Sequence, residues 1–429
     1  MAWLLGHVRT SFHHSATPIS LPTKTGHSIS LLKLCEEATP PCQLNPLLFN
    51  GHLQTFWTAV KAQDVPITYK RRIFEAEDPV FAGTFAVDFV VPNSTRTEKD
   101  ASLPERTTYY SEQEFNALGS DDSKPMLVTL HGLSGGSHEL YLRHVIAPLA
   151  NEEGGWEVCV INSRGCAMSK ITTGVLYNAR ATWDMRQMVK WLRKKFPNRP
   201  LFGLGFSLGA NILTNYLGEE GKRCELSGSV VCSNPWNLEA GSLALQRTWL
   251  GLEVYSKTMG GNMKKLFETH VDQIAKNPRI DVERVRKVKY LHEFDRYLQG
   301  PTWGYPTEGA YYRDASSSDS LLAVRTPLLA INAEDDPIAV NEAIPYEEFK
   351  QNPYAVLCTT SVGGHLSWFE WGGGRWFVKP AVNFLNKMAK EIDIEAISDQ
   401  RMADANGGVG PKSEGSYFEP MRRKLHIPR

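Results

Sequence analysis

Leu201-Phe202-Gly203-Leu204-Gly205-Phe206-Ser207-Leu208-Gly209-Ala210 decides how this chain is read. An apolar run over 201–204 stops at a serine set between glycines in the pattern G-x-S-x-G, and a helical stretch over 210–218 follows. A strand that turns sharply into a helix around a serine must keep small residues on both sides. The hydroxyl then stands at the end of a strand and over a helix N-terminus, where developing negative charge is favoured. In a chain with 34 glycines the pentapeptide alone says little. The strand–turn–helix setting is what makes Ser207 a candidate nucleophile.

Outward from that turn, apolar runs alternate with helical patterns. Met126–Leu130, Trp156–Ile161, Gly228–Cys232, Leu328–Ile331 and Ala355–Cys358 read as further strands. Met185, Met188, Val189, Leu192 and Phe196 recur at helical spacing, and Pro197-Asn198 ends that helix. Nearly continuous apolar strands separated by amphipathic helices imply a mostly parallel sheet covered on both faces. Reactive residues in such sheets gather at the carboxyl ends of the strands.

About 90 residues separate Val231 from Leu328, far more than one crossover helix needs. That insertion carries Leu243, Leu245, Trp249, Leu250 and Leu252, and the aromatics Phe267, Tyr290, Phe294, Tyr297, Trp303 and Tyr305. It reads as a helical cap whose aromatics either line a substrate site or make the cap's own core. The expected organisation is a less regular leader and extension over 1–68, and a core in two parts, 69–234 and 326–394. The cap spans 235–325 and a polar tail 395–429, with a surface loop over 93–124.

A base and an acid should follow the serine in the order Ser…Asp…His. His365 sits in Val362-Gly363-Gly364-His365-Leu366, just after the last strand, where two glycines leave the loop free to swing the imidazole toward Ser207. Asn332-Ala333-Glu334-Asp335-Asp336-Pro337 follows the preceding strand. Spacing does not separate Asp335 from Asp336. Pro337 fixes the chain direction at a tight turn and favours Asp336, which leaves Asp335 and Glu334 for solvent. Two backbone N–H donors are needed for an oxyanion: Leu208, after the nucleophile, and Leu133, in the loop His131-Gly132-Leu133-Ser134-Gly135-Gly136. Together these features predict the α/β-hydrolase fold with a catalytic Ser207, Asp336 and His365.

Composition narrows the alternatives. The 47 basic and 47 acidic residues cancel, so no pull toward nucleic acid is expected. Seven cysteines form no C-x-x-C pair, and Cys159, Cys166 and Cys232 fall in or beside core strands. They read as reduced, buried thiols of an intracellular protein. No His/Cys cluster has ligand spacing, so neither a metal nor another cofactor is expected. No run reaches the ~18 apolar residues of a membrane span, and Met1-Ala2-Trp3-Leu4-Leu5 is too short for a secretory core. Arg9, His13 and His14 suggest a frayed terminus more than an organellar presequence. Arg422-Arg423-Lys424 and Arg429 read as a solvated tail. The expected location is cytoplasmic, or at a lipid-droplet or membrane surface.

Longer strings add a resemblance: Phe49-Asn50-Gly51-His52-Leu53-Gln54-Thr55, 131–139, Asn162-Ser163-Arg164-Gly165-Cys166, 169–173, 216–221, Asn234-Pro235-Trp236, Asp335-Asp336-Pro337 and Gly363-Gly364-His365-Leu366. With them the chain resembles the AB hydrolase 4 family, which groups the bacterial hydrolase YheT with plant embryogenesis-associated proteins. Within it the chain resembles the yeast medium-chain fatty acid ethyl ester synthase/esterases. The resemblance implies that the triad falls on Ser207, Asp336 and His365. It also implies medium-chain acyl esters, acyl-CoA and an alcohol as substrates. Two rivals stand beside it: a catalytically silent lipid-binding protein on the same fold, and a dinucleotide-binding oxidoreductase using Gly203, Gly205 and Gly209. The second lacks both the G-x-G-x-x-G spacing and an acidic residue after Val230-Val231.

Overall fold

The computed structural model describes residues 6–60, 65–92, 100–399 and 420–421. Among them the strands are β1 (Thr10–His14), β2 (Ser20–Pro22), β3 (Ser28–Ser30), β4 (Thr68–Glu75), β5 (Thr84–Val91) and β6 (Thr107–Tyr109), then β7 (Met126–Leu130), β8 (Glu157–Asn162), β9 (Leu201–Phe206), β10 (Leu226–Cys232), β11 (Leu328–Ala333) and β12 (Ala355–Thr360). All except the small β2–β3 pair join one sheet, in the order β1-β12-β11-β10-β9-β7-β8-β5-β4-β6. From β12 to β8 every pairing is parallel. The five strands β7, β9, β10, β11 and β12 are buried along their whole length, as strands covered on both faces must be.

Successive residues of each strand serve opposite cores. Val128, Leu130, Cys159 and Ile161 face one side with Met188, Val189, Leu192, Leu213 and Leu217 from helices Trp183–Lys195 and Leu208–Glu220. Leu127, Val158, Val160, Phe202 and Leu204 face the other, against Leu142 and Ile146 of helix Leu140–Ala150 and Phe384 and Leu385 of helix Val378–Glu391. All seven cysteines are free and buried.

The first segment departs from the expected irregular leader. β1 closes the sheet edge by pairing antiparallel with β12, Phe12 opposite Cys358, so His13 and His14 belong to a strand and not to a frayed end. Helices Leu31–Ala38 and Gly51–Val60 follow it. The expected loop over 93–124 also contains structure: β6 pairs with β4, and helix Glu112–Asn116 is capped by Ser111. Residues 93–99, Met1–Leu5 and the basic residues Arg422, Arg423, Lys424 and Arg429 lie outside the described residues.

Between β10 and β11 the chain makes a helical insertion, with π-helical stretches at Leu250–Ser256 and Asp295–Gln299. Near its end, Gly218 of helix Leu208–Glu220 packs on Ser320 of helix Ser318–Ala323. No helix among the described residues is long and apolar enough to cross a membrane.

Candidate active site

Ser207 stands between β9 and helix Leu208–Glu220 with φ 50° and ψ −119°, backbone angles a non-glycine residue adopts only under constraint. The flanking glycines explain how the turn closes. A Cβ on Gly205 would strike the backbone of Gly209 and Ala210, and one on Gly209 would strike the carbonyls of Leu130 and His131. The Ser207 N–H donates to the Cys232 carbonyl at 2.9 Å, which keeps the turn attached to the end of β10. Gly203, read in one rival as part of a dinucleotide loop, faces Ser229, Leu213 and Leu226 side chains. The three glycines serve close packing inside the fold.

The imidazole of His365 is bonded on both sides. Its Nε2 lies 2.9 Å from Ser207 Oγ, and its Nδ1 lies 2.8 Å from Asp336 Oδ2 and 3.1 Å from Oδ1. A carboxylate only accepts, so the Nδ1 atom carries the hydrogen and Nε2 accepts from the serine hydroxyl. Asp336 is buried, and its Oδ1 also accepts from the backbone N–H groups of Ile338 and Ala339. Residues 336, 365 and 207 thus form one continuous hydrogen-bonded chain at the carboxyl ends of β11, β12 and β9.

Asp335 is not left to solvent. Its Oδ1 accepts from Gly363 N–H at 2.9 Å and Gly364 N–H at 3.1 Å, so it holds the loop that carries His365. Burial pushes its carboxyl up to about 6, against those backbone donors. Glu334 pairs with Arg9 at the surface.

Nor are the two glycines a free swivel. Gly364, at φ 63°, is closed in by Gly51, Gln54 and Thr55, and Gly363 lies against the Trp368 indole. The Phe49–Thr55 string supplies the other side of this clamp. His365 N–H donates to Thr55 Oγ1 at 2.9 Å, and Phe369 N–H donates to Oε1 of the buried Gln54 at 2.8 Å. Sequence reading recognised that string without finding its task; its helix braces the histidine loop from about 310 residues away.

The loop over 131–136 is fixed in a similar manner. Gly132 passes against Ser207 Cβ. Its N–H donates to Tyr141 Oη at 2.9 Å, and Ser134 N–H donates to Tyr177 Oη at 3.0 Å. His131 bonds the Gly132 carbonyl through Nδ1 and accepts from Ser163 N–H through Nε2. Burial pushes the His131 imidazolium down to about 4, so at neutral pH the ring holds one hydrogen, on Nδ1. Ser137 and Asn162 share the buried Asp88 carboxylate, which also receives both arms of Arg71. The amides on either side of Leu133 are therefore engaged. Among the described residues those of Leu133 and Leu208 have no internal acceptor, and both residues border the cleft that contains Ser207.

That cleft spans about 830 Å³, its open mouth included. Leu238, Leu245, Met259, Met263, Leu291 and Ile338 supply much of its wall. The aromatics singled out from sequence do not line it. Phe267 and Phe294 are fully buried in the core, and Trp303 packs on Trp183. Phe267 and Phe294 fill the insertion's interior, where a large ring buries much area per residue, while Tyr311 and Tyr312 face the cleft beside the leucine and methionine side chains.

A model of the α/β hydrolase fold family matches residues 125–370. A monoacylglycerol lipase of Saccharomyces cerevisiae is 38% identical over 371 residues, 82% of this chain and 81% of that protein. The medium-chain fatty acid ethyl ester synthase/esterase 2 of the same yeast is 30% identical, covering 80% and 85%. An embryogenesis-associated protein of Picea glauca is 33% identical, covering 81% and 72%.

Asp335 yields a test of the clamp. Its folded carboxyl binds a proton up to about pH 6, whereas an unfolded one releases it near 4. The stability from that proton is complete below about pH 4 and is lost as pH rises through about 6. Asp335→Asn keeps an oxygen for Gly363 and Gly364 and removes the titration. Thermal melts from pH 4 to 7 should show the variant gaining on the wild type by about 2 kcal/mol; parallel curves would contradict the burial argument.

Proposed function

Because the chain belongs to the α/β-hydrolase fold family, we propose that it is a carboxylic ester hydrolase working through an acyl-serine intermediate. The supporting observation is the unbroken Asp336–His365–Ser207 hydrogen-bond chain, whose serine lines a largely apolar cleft. The names of two relatives, monoacylglycerol lipase and ethyl ester synthase/esterase, both concern carboxylic esters.

In this reading Ser207 Oγ attacks the ester carbonyl carbon while its proton passes to His365 Nε2. Asp336 keeps the Nδ1 tautomer and stabilises the imidazolium. The carbonyl oxygen becomes an oxyanion held by the N–H groups of Leu133 and Leu208 at the N-terminus of helix Leu208–Glu220. When the tetrahedral intermediate collapses, the C–O bond to the alcohol breaks and His365 Nε2–H protonates the leaving oxygen. Water, deprotonated by His365, then attacks the acyl-enzyme and releases the acid. The apolar wall suits a medium-length acyl chain.

A second reading rests on the ester synthase/esterase relative. The same acyl-enzyme, loaded from an ester or acyl-CoA, gives a new ester when an alcohol replaces water. A third element concerns where the chain works. Phe49, Phe56 and Trp249 are 60%, 66% and 72% exposed, and His52 bonds Tyr255 at 2.8 Å, joining their two elements. We take this apolar rim as the contact with a lipid surface that delivers substrate.

Ser207→Ala should lower p-nitrophenyl ester turnover by on the order of 10⁴-fold or more. An unchanged rate in that variant, or no turnover by the wild type, would leave the silent lipid-binding rival standing. Across an acyl series, kcat/KM should rise from acetyl to medium-chain esters, and added ethanol should divert product to ethyl esters; hydrolysis without any ethyl ester removes the transferase reading alone. Vesicles of neutral phospholipid should co-sediment the wild type with little effect of salt, since apolar insertion is not screened. Trp249→Ser with Phe56→Ser should abolish that binding, and an unaltered bound fraction would refute the rim's role.

A further inference from the structure

One part of the cleft wall is polar. Helix Leu291–Phe294 runs directly into the π-helical turn Asp295–Gln299, and His292, Asp295 and Gln299 all line the cleft with Ser207. Their spacing of three and four residues puts them on one face. π turns are rare and concentrate at functional sites. Asn178 joins them from the loop ahead of helix Trp183–Lys195.

Among the described residues these side chains are half-satisfied. Gln299 Nε2 donates to the Tyr177 carbonyl at 3.0 Å, while its Oε1 has no protein partner. Asn178 Oδ1 accepts from Arg180 N–H at 2.7 Å, while its Nδ2 has none. His292 Nδ1 is likewise unpaired. Asp295 Oδ2 accepts from Tyr312 Oη at 2.7 Å. Asn178 and Gln299 are only 1% and 3% exposed, and a buried polar atom without a partner is costly. A purely apolar substrate would leave that cost in place.

The unpaired groups are a donor, an acceptor and a ring nitrogen, which together complement hydroxyls, since a hydroxyl both donates and accepts. An anion fits poorly: no lysine or arginine borders the cleft among the described residues, and Asp295 does. Burial pushes the Asp295 carboxyl up to about 7, so it suits an uncharged partner.

We propose that Asn178, His292, Asp295 and Gln299 form a subsite for the alcohol portion of a neutral ester whose leaving group carries free hydroxyls, with the acyl chain along the leucine and methionine wall. This rests on the ester-hydrolase reading and adds a substrate class to it. The subsite selects a polyol ester over the ester of a simple alcohol with the same acyl chain. A site built to pair a hydroxyl discriminates strongly against the analogue that lacks it.

The full chain should be assayed on 1-decanoylglycerol and ethyl decanoate in the same mixed micelles. The wild type should favour the glyceryl ester in kcat/KM. Gln299→Leu should lower the glyceryl-to-ethyl ratio by about tenfold or more. His292→Phe, which retains the ring stacked on Tyr290 at 5.7 Å, should lower it in the same direction and serves if the first variant misfolds. A wild-type ratio near one overturns the subsite, as does a ratio that both variants leave unchanged, including through an equal fall on the two esters. Turnover of neither ester by the wild type would instead bring down the parent reading, and the subsite with it.

Discussion

Everything at this site depends on holding one imidazole between a carboxylate and a hydroxyl that come from separate strand ends. A hydrogen bond weakens steeply once its length or angle drifts, and His365 must satisfy two at once. Its loop is therefore fixed from several directions. Asp335 takes the two glycine amides, Thr55 takes the histidine's own N–H, and Ser233 takes that of Leu366. The serine is equally constrained, in a strained turn whose glycines admit no side chain. Strain of this sort persists only where the surroundings over-determine it, and both sheet and clamp do so here.

Much of this was legible in the chain because central strands advertise themselves. β7, β9, β10, β11 and β12 are buried on both faces, and all were visible as apolar runs within a few residues of their ends. The edges were not. Thr10–His14 is half-buried and mixed in character, and its partner lies about 345 residues on; no local pattern encodes such a pairing. Asp335 and Asp336 differ by one residue and take opposite tasks, one on the loop backbone and one on the ring. Only the direction of the turn after β11 separates them. The glycines before His365 suggested freedom, whereas a helix from residue 51 removes it.

The insertion shows the same limit. Of the aromatic residues that drew notice in its sequence, Phe267 and Phe294 are buried in the core, and the rings that reach the cleft, Tyr311 and Tyr312, were not among them. Buried polar residues such as Asn178 and Gln299 carry no periodic signal at all. What they do depends on which of their atoms the fold leaves without a partner, and that is a tertiary property. The cleft wall is apolar over most of its area and is interrupted by a compact polar patch.

The most direct test of the central claim is to react the intact chain with a fluorophosphonate and map the adduct by peptide mass spectrometry. Activation of one serine by His365 predicts a single modified peptide, carrying the adduct on Ser207, and its loss in His365→Ala. An unmodified Ser207, or labelling that survives removal of the imidazole, would contradict it.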